Sequence, residues 1–318
     1  MRWILMLFLG LSGLCLWCSN LTSNAEITQE MVSADKILKN LQKGEAIYLT
    51  NAVISGDLDL TQLPGQLVNL DYYVTVIDAQ ITFVNCEFKG KVLAYRKGDK
   101  TQHATRFTKG LSFIECTFRK EFNFKGSVVD GLASFPGTYF EEAVHFETAT
   151  FRHDANFSKS IYMRDLYFQE CRFAQAAQFM NANIGGIANF QGCTFGGDAQ
   201  FGVAEFHAYA DFSRVSFQEG VFLDYTKFHD RAVFSNVLFK GRMDLKGGLF
   251  EKDASFKGSL FYGKTRFFQS TFDAALDLSG TTFMTGQPDM NELNLKDQKN
   301  LDLNDARVNQ FQPLELTF

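Results

Sequence analysis

The chain of 318 residues has little proline, tryptophan or net charge. It contains four Pro and two Trp, and its formal net charge is −5. A charge this small does not indicate a nucleic-acid-binding protein or a surface that imitates nucleic acid, so no nucleic-acid partner is expected.

The Gly-x-Ser-x-Gly nucleophile elbow, the Gly-x-Gly-x-x-Gly dinucleotide fingerprint and the His-Glu-x-x-His metalloprotease motif do not occur. Carboxylates are plentiful, but no spacing selects a catalytic pair. We therefore predict neither an enzyme nor a cofactor.

Phenylalanine is in excess, with 35 residues. From Leu111 onward, large apolar residues recur at alternating intervals of five and six, so the pattern repeats every eleven residues. A small or medium side chain stands two residues before nearly every one, as Ala188 does before Phe190. An eleven-residue coiled coil would need apolar spacings of three and four, which are missing. The unit small-x-Phe instead places two side chains on one face of a short strand, and the residues after it turn the chain.

The volume of the Phe rings decides how long one coil must be. Eleven residues would close a ring too small for several Phe side chains, whereas twenty-two would make a four-sided coil that encloses them. Positions twenty-two residues apart do form four columns of eight; all are large and apolar, and 26 are Phe. The columns are Phe113, Phe135, Phe157, Phe179, Phe201, Leu223, Leu245 and Phe267; Phe118, Phe140, Tyr162, Ile184, Phe206, Phe228, Phe250 and Phe272; Phe124, Phe146, Phe168, Phe190, Phe212, Phe234, Phe256 and Leu278; and Val129, Phe151, Phe173, Phe195, Phe217, Phe239, Phe261 and Phe283.

The columns predict an all-β fold, a four-sided parallel β-helix whose eight regular coils, at roughly 4.8 Å each, form a rod about 38 Å long. Residues 188–192 (Ala-Asn-Phe-Gln-Gly) and 210–214 (Ala-Asp-Phe-Ser-Arg) resemble the units of pentapeptide-repeat proteins, and the resemblance extends over about residues 45 to 311. It implies a right-handed quadrilateral parallel β-helix with the small residue and the Phe pointing inward. That family closes a coil in twenty residues, so we expect bulged corners on two opposite edges. The extra residues are Asp198, Tyr209, Gly220, Arg231, Arg242 and Asp253.

The ends of a parallel solenoid need caps, because their strand edges are unpaired. Ser33 can N-cap a short helix in which Ile37, Leu38 and Leu41 share one face, and this helix is expected to cover the first coil. The predicted segments are a signal peptide at 1–25, an N-terminal capping helix at 26–44, irregular coils at 45–110 with insertions at 64–75 and 95–110, the regular β-helix at 111–283, and a C-terminal irregular coil and cap at 284–318.

The first residues have the features of a signal peptide. A basic residue precedes an apolar run over residues 3–17, and the small residues Ser23 and Ala25 fit cleavage before Glu26. Two alternatives stay open: a retained anchor, although the run is shorter than a membrane span of ~20 residues, and lipidation at Cys15, although the bulky Leu14 precedes it. We expect an exported protein of the periplasm or cell envelope, with membrane contact only through this terminus.

Four cysteines follow the repeat. Cys86, Cys116, Cys171 and Cys193 occupy the small inward position two residues before a Phe, and none of these four belongs to a Cys-x-x-Cys pair. Their spacing therefore does not indicate a zinc site. Cys171 and Cys193 lie one coil apart and are either a disulfide or free thiols. Free thiols are favoured because in-register parallel neighbours strain the bond.

Two histidines also lie one coil apart. His207 and His229 stand in an outward column that continues with Glu251 and Asp273, which is either a metal-binding edge or a row of solvated corner residues. The second interpretation is favoured, and no metal site is predicted. The same column also contains Arg119, Glu141, Met163 and Gly185.

The insertion at 95–110 is basic. A possible partner-binding loop consists of Arg96, Lys97, Lys100, Arg106 and Lys109. It could dock an anionic partner such as a lipid headgroup, a glycan or nucleic acid, or it could be a solvated loop.

We expect a non-enzymatic scaffold of the cell envelope that presents rigid β-helix faces to a protein or polymer partner. One alternative is an enzyme acting on polysaccharides, as some larger parallel β-helices do, but the regular coils lack the long loops that form their grooves. The other is an inhibitor that imitates nucleic acid, as in pentapeptide-repeat proteins that protect gyrase. Export and the weak negative charge argue against it.

Overall fold

A computed structural model describes residues 29–309 and 312–314. The chain forms a parallel β-solenoid of about 13 turns whose coils have about 22 residues. Each coil has four sides, and strands of successive coils pair in parallel to form four long sheets. These sheets are called faces 1 to 4, in the order in which a regular coil passes through them. The predicted all-β solenoid is confirmed.

The four faces contain the following strands. Face 1 has Ile47–Thr50, Ile81–Val84, Leu111–Ile114, Ala133–Ser134, Ala155–Asn156, Ala177–Gln178, Ala199–Gln200, Val221–Phe222, Met243–Asp244 and Thr265–Arg266. Face 2 has Glu30–Ser33, Ala52–Ser55, Glu87–Phe88, Thr117–Phe118, Tyr139–Phe140, Ile161–Tyr162, Asn183–Ile184, Glu205–Phe206, Lys227–Phe228, Leu249–Phe250, Thr271–Phe272 and Asn294–Leu295. Face 3 has Leu58–Asp59, Val92–Leu93, Phe122–Asn123, Val144–His145, Leu166–Tyr167, Ala188–Asn189, Ala210–Asp211, Ala232–Val233, Ala254–Ser255, Leu276–Asp277 and Leu301–Asp302. Face 4 has Gly65–Asn69, Tyr72–Ile77, Tyr95–Lys97, Gln102–Phe107, Val128–Val129, Thr150–Phe151, Arg172–Phe173, Thr194–Phe195, Ser216–Phe217, Leu238–Phe239, Leu260–Phe261, Thr282–Phe283, Arg307–Val308 and Gln312–Pro313.

Backbone hydrogen bonds between coils hold these two-residue strands in register. Phe195 lies beside Phe217, twenty-two residues later, in the parallel ladder of face 4. The backbone N–H of Phe212 donates to the carbonyl of Val233 at 2.7 Å, one coil further on. A strand this short would not persist alone, but here its peptide groups are paired with the neighbouring coils.

The Phe columns form the core. All thirty-two column positions are buried. Phe212 stacks on Phe190 with ring centroids 4.9 Å apart and an interplanar angle of 4°, and on Phe234 at 4.8 Å and 4°. Within one coil the rings meet edge to face, as Phe201 and Phe212 do at 5.4 Å and 89°. Both geometries are favourable for aromatic pairs, so each ring is held along the axis and across the bore.

The corners alternate between two types. Five-residue corners, which follow faces 1 and 3, contain one residue in the left-handed conformation, such as Val203 (φ 58°) or Arg214 (φ 58°). The six-residue corners, which follow faces 2 and 4, contain the extra residues, such as Asp198 and Tyr209. The extra residues therefore lie on two opposite edges, as predicted. A left-handed Val is strained, because its Cβ crowds the backbone.

The N-terminal helix packs against the first coils, and within the predicted helical segment 26–44 the strand Glu30–Ser33 precedes it. The helix Ala34–Gln42 begins at the N-cap Ser33, whose side chain accepts a hydrogen bond from the Lys36 N–H, and its Ile37, Leu38 and Leu41 are buried. Gln298–Asn300 and Leu60–Gln62 are single 3-10 turns. The predicted signal peptide and most of the predicted C-terminal cover at 311–318 lie outside the described residues. No helix in the described ranges is long and apolar enough to span a membrane.

The two insertions are β-hairpins that widen face 4, and not loops. Gly65–Asn69 pairs antiparallel with Tyr72–Ile77, and Tyr95–Lys97 pairs antiparallel with Gln102–Phe107. Tyr72–Ile77 and Gln102–Phe107 then pair in parallel along six residues. Phe107 is buried and stacks on Phe124, so the second insertion ends inside the core. The β-branched and aromatic residues of these segments explain why they form strands.

Replacing a stacked ring should cost much more than replacing an outward one. Phe212→Ala removes a fully buried ring and leaves a cavity, so we expect the free energy of unfolding to fall by about 3–5 kcal/mol. Phe222→Ala, on the outer side of face 1, is the matched control and should cost much less. Urea unfolding followed by circular dichroism measures both. Equal losses would contradict the stacked core.

Candidate binding groove on face 1

A groove of about 370 Å³ lies on the outer side of face 1. Its base is formed by the paired strands Ala199–Gln200 and Val221–Phe222, whose outward residues Gln200 and Phe222 are register partners. Its lining consists of Met180, Asn181, Asp198, Gln200, Gly202, Val203, Phe222 and Asp224. The groove thus combines one aromatic ring and two aliphatic side chains with two carboxylates and two amides.

One glycine creates the depression. Met180, Gly202 and Asp224 occupy the same outward position in three successive coils, because they are twenty-two residues apart. A Cβ built on Gly202 would meet no atom nearer than the Asp224 carbonyl oxygen at 3.6 Å. The missing side chain therefore leaves open space between two larger neighbours.

The ring of Phe222 is held in place from two sides. It lies against Gly220, where an added Cβ would be 2.8 Å from the ring. The guanidinium of Arg242 lies 5.0 Å from the ring centroid, within cation–π range. Beside the ring, Asp198 accepts a hydrogen bond from the Gly220 N–H at 3.0 Å. An aromatic surface and a carboxylate are thus fixed next to each other before any ligand arrives.

Asp224 has a perturbed pKa. Burial raises the pKa of its carboxyl and the neighbouring Asp244 raises it further, while Arg242 and Arg266 act in the opposite direction. Asp244 is itself buried and contacts both Arg242 (3.4 Å) and Arg266 (3.1 Å). The Asp224 carboxyl therefore takes up a proton at a higher pH than an ordinary aspartate does, because its pKa is raised.

Further aromatic side chains continue along the same face. Tyr225, with half of its surface exposed, lies under the Lys246 ammonium at 5.8 Å. Phe268 lies under the Arg266 guanidinium at 5.5 Å. Tyr225 stands in the same coil as Phe222 and Phe268 stands two coils further on, so face 1 presents further aromatic rings with basic side chains over them.

Comparison with known families agrees with the fold. Residues 168–216 match the family model described as pentapeptide repeats (9 copies). The similarity is shown for this stretch of the chain. This segment contains most of the groove lining, from Met180 to Val203. No curated protein matches the chain. Pentapeptide-repeat solenoids are generally structural or binding proteins.

The basic residues predicted to bind a partner lie on the second face 4 hairpin of the solenoid, not at the groove. Three of them contact carboxylates: Arg96 with Asp59 at 3.9 Å, Arg106 with Asp130 at 2.6 Å, and Lys109 with Asp78 at 3.4 Å. Lys97 and Lys100 form no ion pair with a described residue. Only part of the predicted positive charge is therefore available, and partner binding at this hairpin stays a prediction.

The four inward cysteines are buried free thiols. Cys171 Sγ donates to the Phe146 carbonyl at 2.7 Å and Cys193 Sγ to the Phe168 carbonyl at 2.8 Å. Thr138 and Ser160 make equivalent bonds in the same kind of position, to Phe113 and Phe135. The thiols thus serve, like the hydroxyls, to satisfy carbonyls of the preceding coil.

The predicted histidine column is assembled, with one addition. The rings of His207 and His229 stack at 4.8 Å, and His229 Nδ1 lies 3.0 Å from Glu251 Oε1. Glu205 joins them, with Oε2 3.7 Å from His207 Nε2. Sequence reasoning missed Glu205, because it followed single columns and Glu205 comes from the adjacent one.

Residues 258–265 (Gly-Ser-Leu-Phe-Tyr-Gly-Lys-Thr) have the spacing of a phosphate-binding P-loop. In the structure Leu260–Phe261 is a strand of face 4 with Phe261 buried, and the chain then enters the face 1 strand Thr265–Arg266. A P-loop needs converging N–H groups ahead of a helix. The spacing is therefore a product of the repeat.

Replacing the groove carboxyl should change the pH dependence of stability. A carboxyl whose pKa is raised in the folded chain destabilises the fold once ionised, so its effect appears as pH rises through the folded pKa. Asp224→Asn removes that effect, so the melting temperature of the variant relative to the wild type should rise as the pH is raised above the ordinary aspartate pKa of about 4. Thermal unfolding followed by circular dichroism measures it.

Asp277 is the control of opposite sign. Burial raises its pKa, but hydrogen bonds from Ser279 and Ser255 outweigh burial and hold the pKa of Asp277 below its usual value. Asp277→Asn should therefore lose stability at neutral pH, and the loss should vanish in acid as the native carboxyl is protonated. An Asp224→Asn variant that behaves in the same way would contradict the assignment of Asp224.

Proposed function

We propose that the protein is a non-enzymatic, exported scaffold of the cell envelope that binds a polysaccharide chain along face 1. The observation that carries the proposal is the groove, where the ring of Phe222 stands among Asn181, Asp198, Gln200 and Asp224. Sugar rings have apolar C–H surfaces that pack on aromatic rings and hydroxyls that bond to amides and carboxylates. Ligand sites combine apolar walls and a few placed polar groups in this way.

The shape of the solenoid also supports a polymer partner. Phe222 and Tyr225 stand on one coil of face 1 and Phe268 stands two coils further on, and hydrogen bonds between coils fix the spacing of their backbones. A rigid surface loses little conformational entropy on binding, so weak contacts to successive sugar units can add up.

Export rests on the N-terminal segment. The apolar run over 3–17, followed by Ser23 and Ala25, has the order of a secretion signal. An envelope location would also place the groove among polysaccharides. Fractionation of cells that express the full chain should recover it outside the cytoplasm, shortened by 25 residues. Recovery of the intact chain in the cytoplasm would contradict export and leave the groove unaffected.

A second candidate function, cleavage of the bound chain, is favoured by one observation. Asp198 and Asp224 line the same groove, and the pKa of Asp224 is raised. Glycosidases pair a protonated carboxyl with an ionised one. Against this, Asp198 is engaged by the Gly220 N–H, and pentapeptide-repeat solenoids are generally non-enzymatic. Binding is therefore the preferred function.

Filling the groove should abolish binding without harming the fold. Gly202→Met restores the side chain found one coil earlier at Met180, and the added Cβ meets only ordinary contacts. We expect glycan affinity to fall by at least about tenfold, since the ligand would lose its place beside Phe222. A panel of envelope polysaccharides, followed by isothermal titration calorimetry with the best ligand, measures the change.

The control is Lys246→Met, which places the same side chain at the same position two coils further on, outside the groove. It should lose much less affinity than Gly202→Met, because it leaves the recess open, and both variants should melt at the wild-type temperature. New reducing ends in the calorimetry samples would indicate that the protein cleaves the polysaccharide.

If Gly202→Met binds normally and the double variant Lys97→Glu with Lys100→Glu does not, the basic hairpin is the binding site. Charge reversal is preferable to deletion of 96–109, which would remove part of face 4.

A further inference from the structure

A cluster of metal-ligating side chains stands at the six-residue corner after face 2. Glu205, His207 and His229 each offer one ligand atom, and the three atoms lie within 4.8 Å of one another. Glu205 is the outward residue of its strand, His207 follows one residue after that strand, and His229 is the equivalent of His207 in the next coil. Each side chain projects from a backbone whose position is fixed by the ladder.

The hydrogen bonds of His229 leave one ring nitrogen available. Glu251 Oε1 lies 3.0 Å from His229 Nδ1, which places the proton on Nδ1 and the lone pair on Nε2. His229 Nε2 is buried and has no hydrogen-bond partner among the described residues. A carboxylate on one nitrogen and an unpaired second nitrogen is the arrangement that orients histidines at metal sites.

His207 presents the same nitrogen. The Asn183 amide nitrogen lies 3.1 Å from His207 Nε2, so Nε2 accepts the amide proton and carries the lone pair. Glu205 contributes its second oxygen: Lys227 Nζ lies 2.7 Å from Oε1, while Oε2 faces His207 Nε2 at 3.7 Å. Lys227 therefore balances the negative charge of Glu205 through Oε1, and Oε2 stays available as a metal ligand.

We propose that Glu205, His207 and His229 form a zinc site, with Glu251 as the positioning residue of His229. Two imidazoles and one carboxylate are ligands that zinc accepts, at distances of about 2.0–2.2 Å, so the side chains would draw together around the ion. Three protein ligands leave a fourth position open for water or for a group of a partner. The site does not depend on the face 1 groove and can be tested separately.

Zinc titration of the full chain against a colorimetric chelator tests the proposal. We expect one equivalent bound, and a loss of affinity of at least about 100-fold in His207→Ala and in His229→Ala. Glu251→Gln should keep the stoichiometry and weaken binding by about 10- to 100-fold, because it no longer orients the His229 ring. Cobalt substitution adds a spectroscopic readout, since nitrogen and oxygen ligands give no thiolate charge-transfer band.

The matched control is His145→Ala. His145 also stands on an outward column, stacks on the next coil through Tyr167 at 5.0 Å and contacts a carboxylate, Glu147, at 3.2 Å, but it has no second imidazole beside it. It should bind zinc like the wild type. Equal melting temperatures without zinc establish that the variants are folded. If His207→Ala does not fold, the milder His207→Gln takes its place. Absent binding, binding that survives the His207 and His229 substitutions, or a thiolate band would each overturn the proposal.

Discussion

The structure depends on the parallel hydrogen-bonded ladder between coils. Each coil repeats the backbone path of the one before it, so a residue and its equivalent twenty-two positions later must lie side by side. Stacked rings such as Phe190 and Phe212 follow from this constraint, and so do the thiol and hydroxyl bonds of Cys171 and Ser160. The ladder satisfies the backbone and the columns fill the bore, so neither a disulfide nor a metal is needed for the core.

The same constraint acts on the outer surface, where each outward side chain lies beside its equivalents in the neighbouring coils. Outward columns also stack, so Arg119 lies between the carboxylates of Glu87 and Glu141, one on each neighbouring coil. The groove on face 1 arises where one member of a column, Gly202, is smaller than its neighbours. A ligand cluster arises only where two adjacent columns carry suitable side chains in the same coils, as at Glu205 and His207. The candidate sites of this solenoid therefore lie where an outward residue differs from its equivalents in the neighbouring coils.

Sequence analysis predicted the core and missed most of the surface, for a physical reason. Inward positions admit few residue types, so the period of Phe and Ala is legible in one sequence. Val203 in a left-handed turn could not be predicted, because the ladder on both sides imposes a conformation that valine disfavours locally. The sequence predicts a loop at 95–110, because the partner of the strand Gln102–Phe107 is Tyr72–Ile77, most of which lies in the other apparent insertion. The groove is not predicted from the sequence, because a glycine such as Gly202 indicates a recess only when it is compared with the larger side chains at the same position of the neighbouring coils.

Rigidity connects the fold to binding. The residues of the groove and of the histidine corner come from successive coils, and their backbones cannot move apart without breaking the ladder. A shallow site on such a frame does not have to be ordered by its ligand, which removes part of the usual cost of association. A shallow recess suits a chain that continues along the face better than a single small molecule, because a polymer gains from every coil that it crosses. The proposed polysaccharide would therefore meet a surface that is held rigid by the same ladder that stacks phenylalanine inside the molecule.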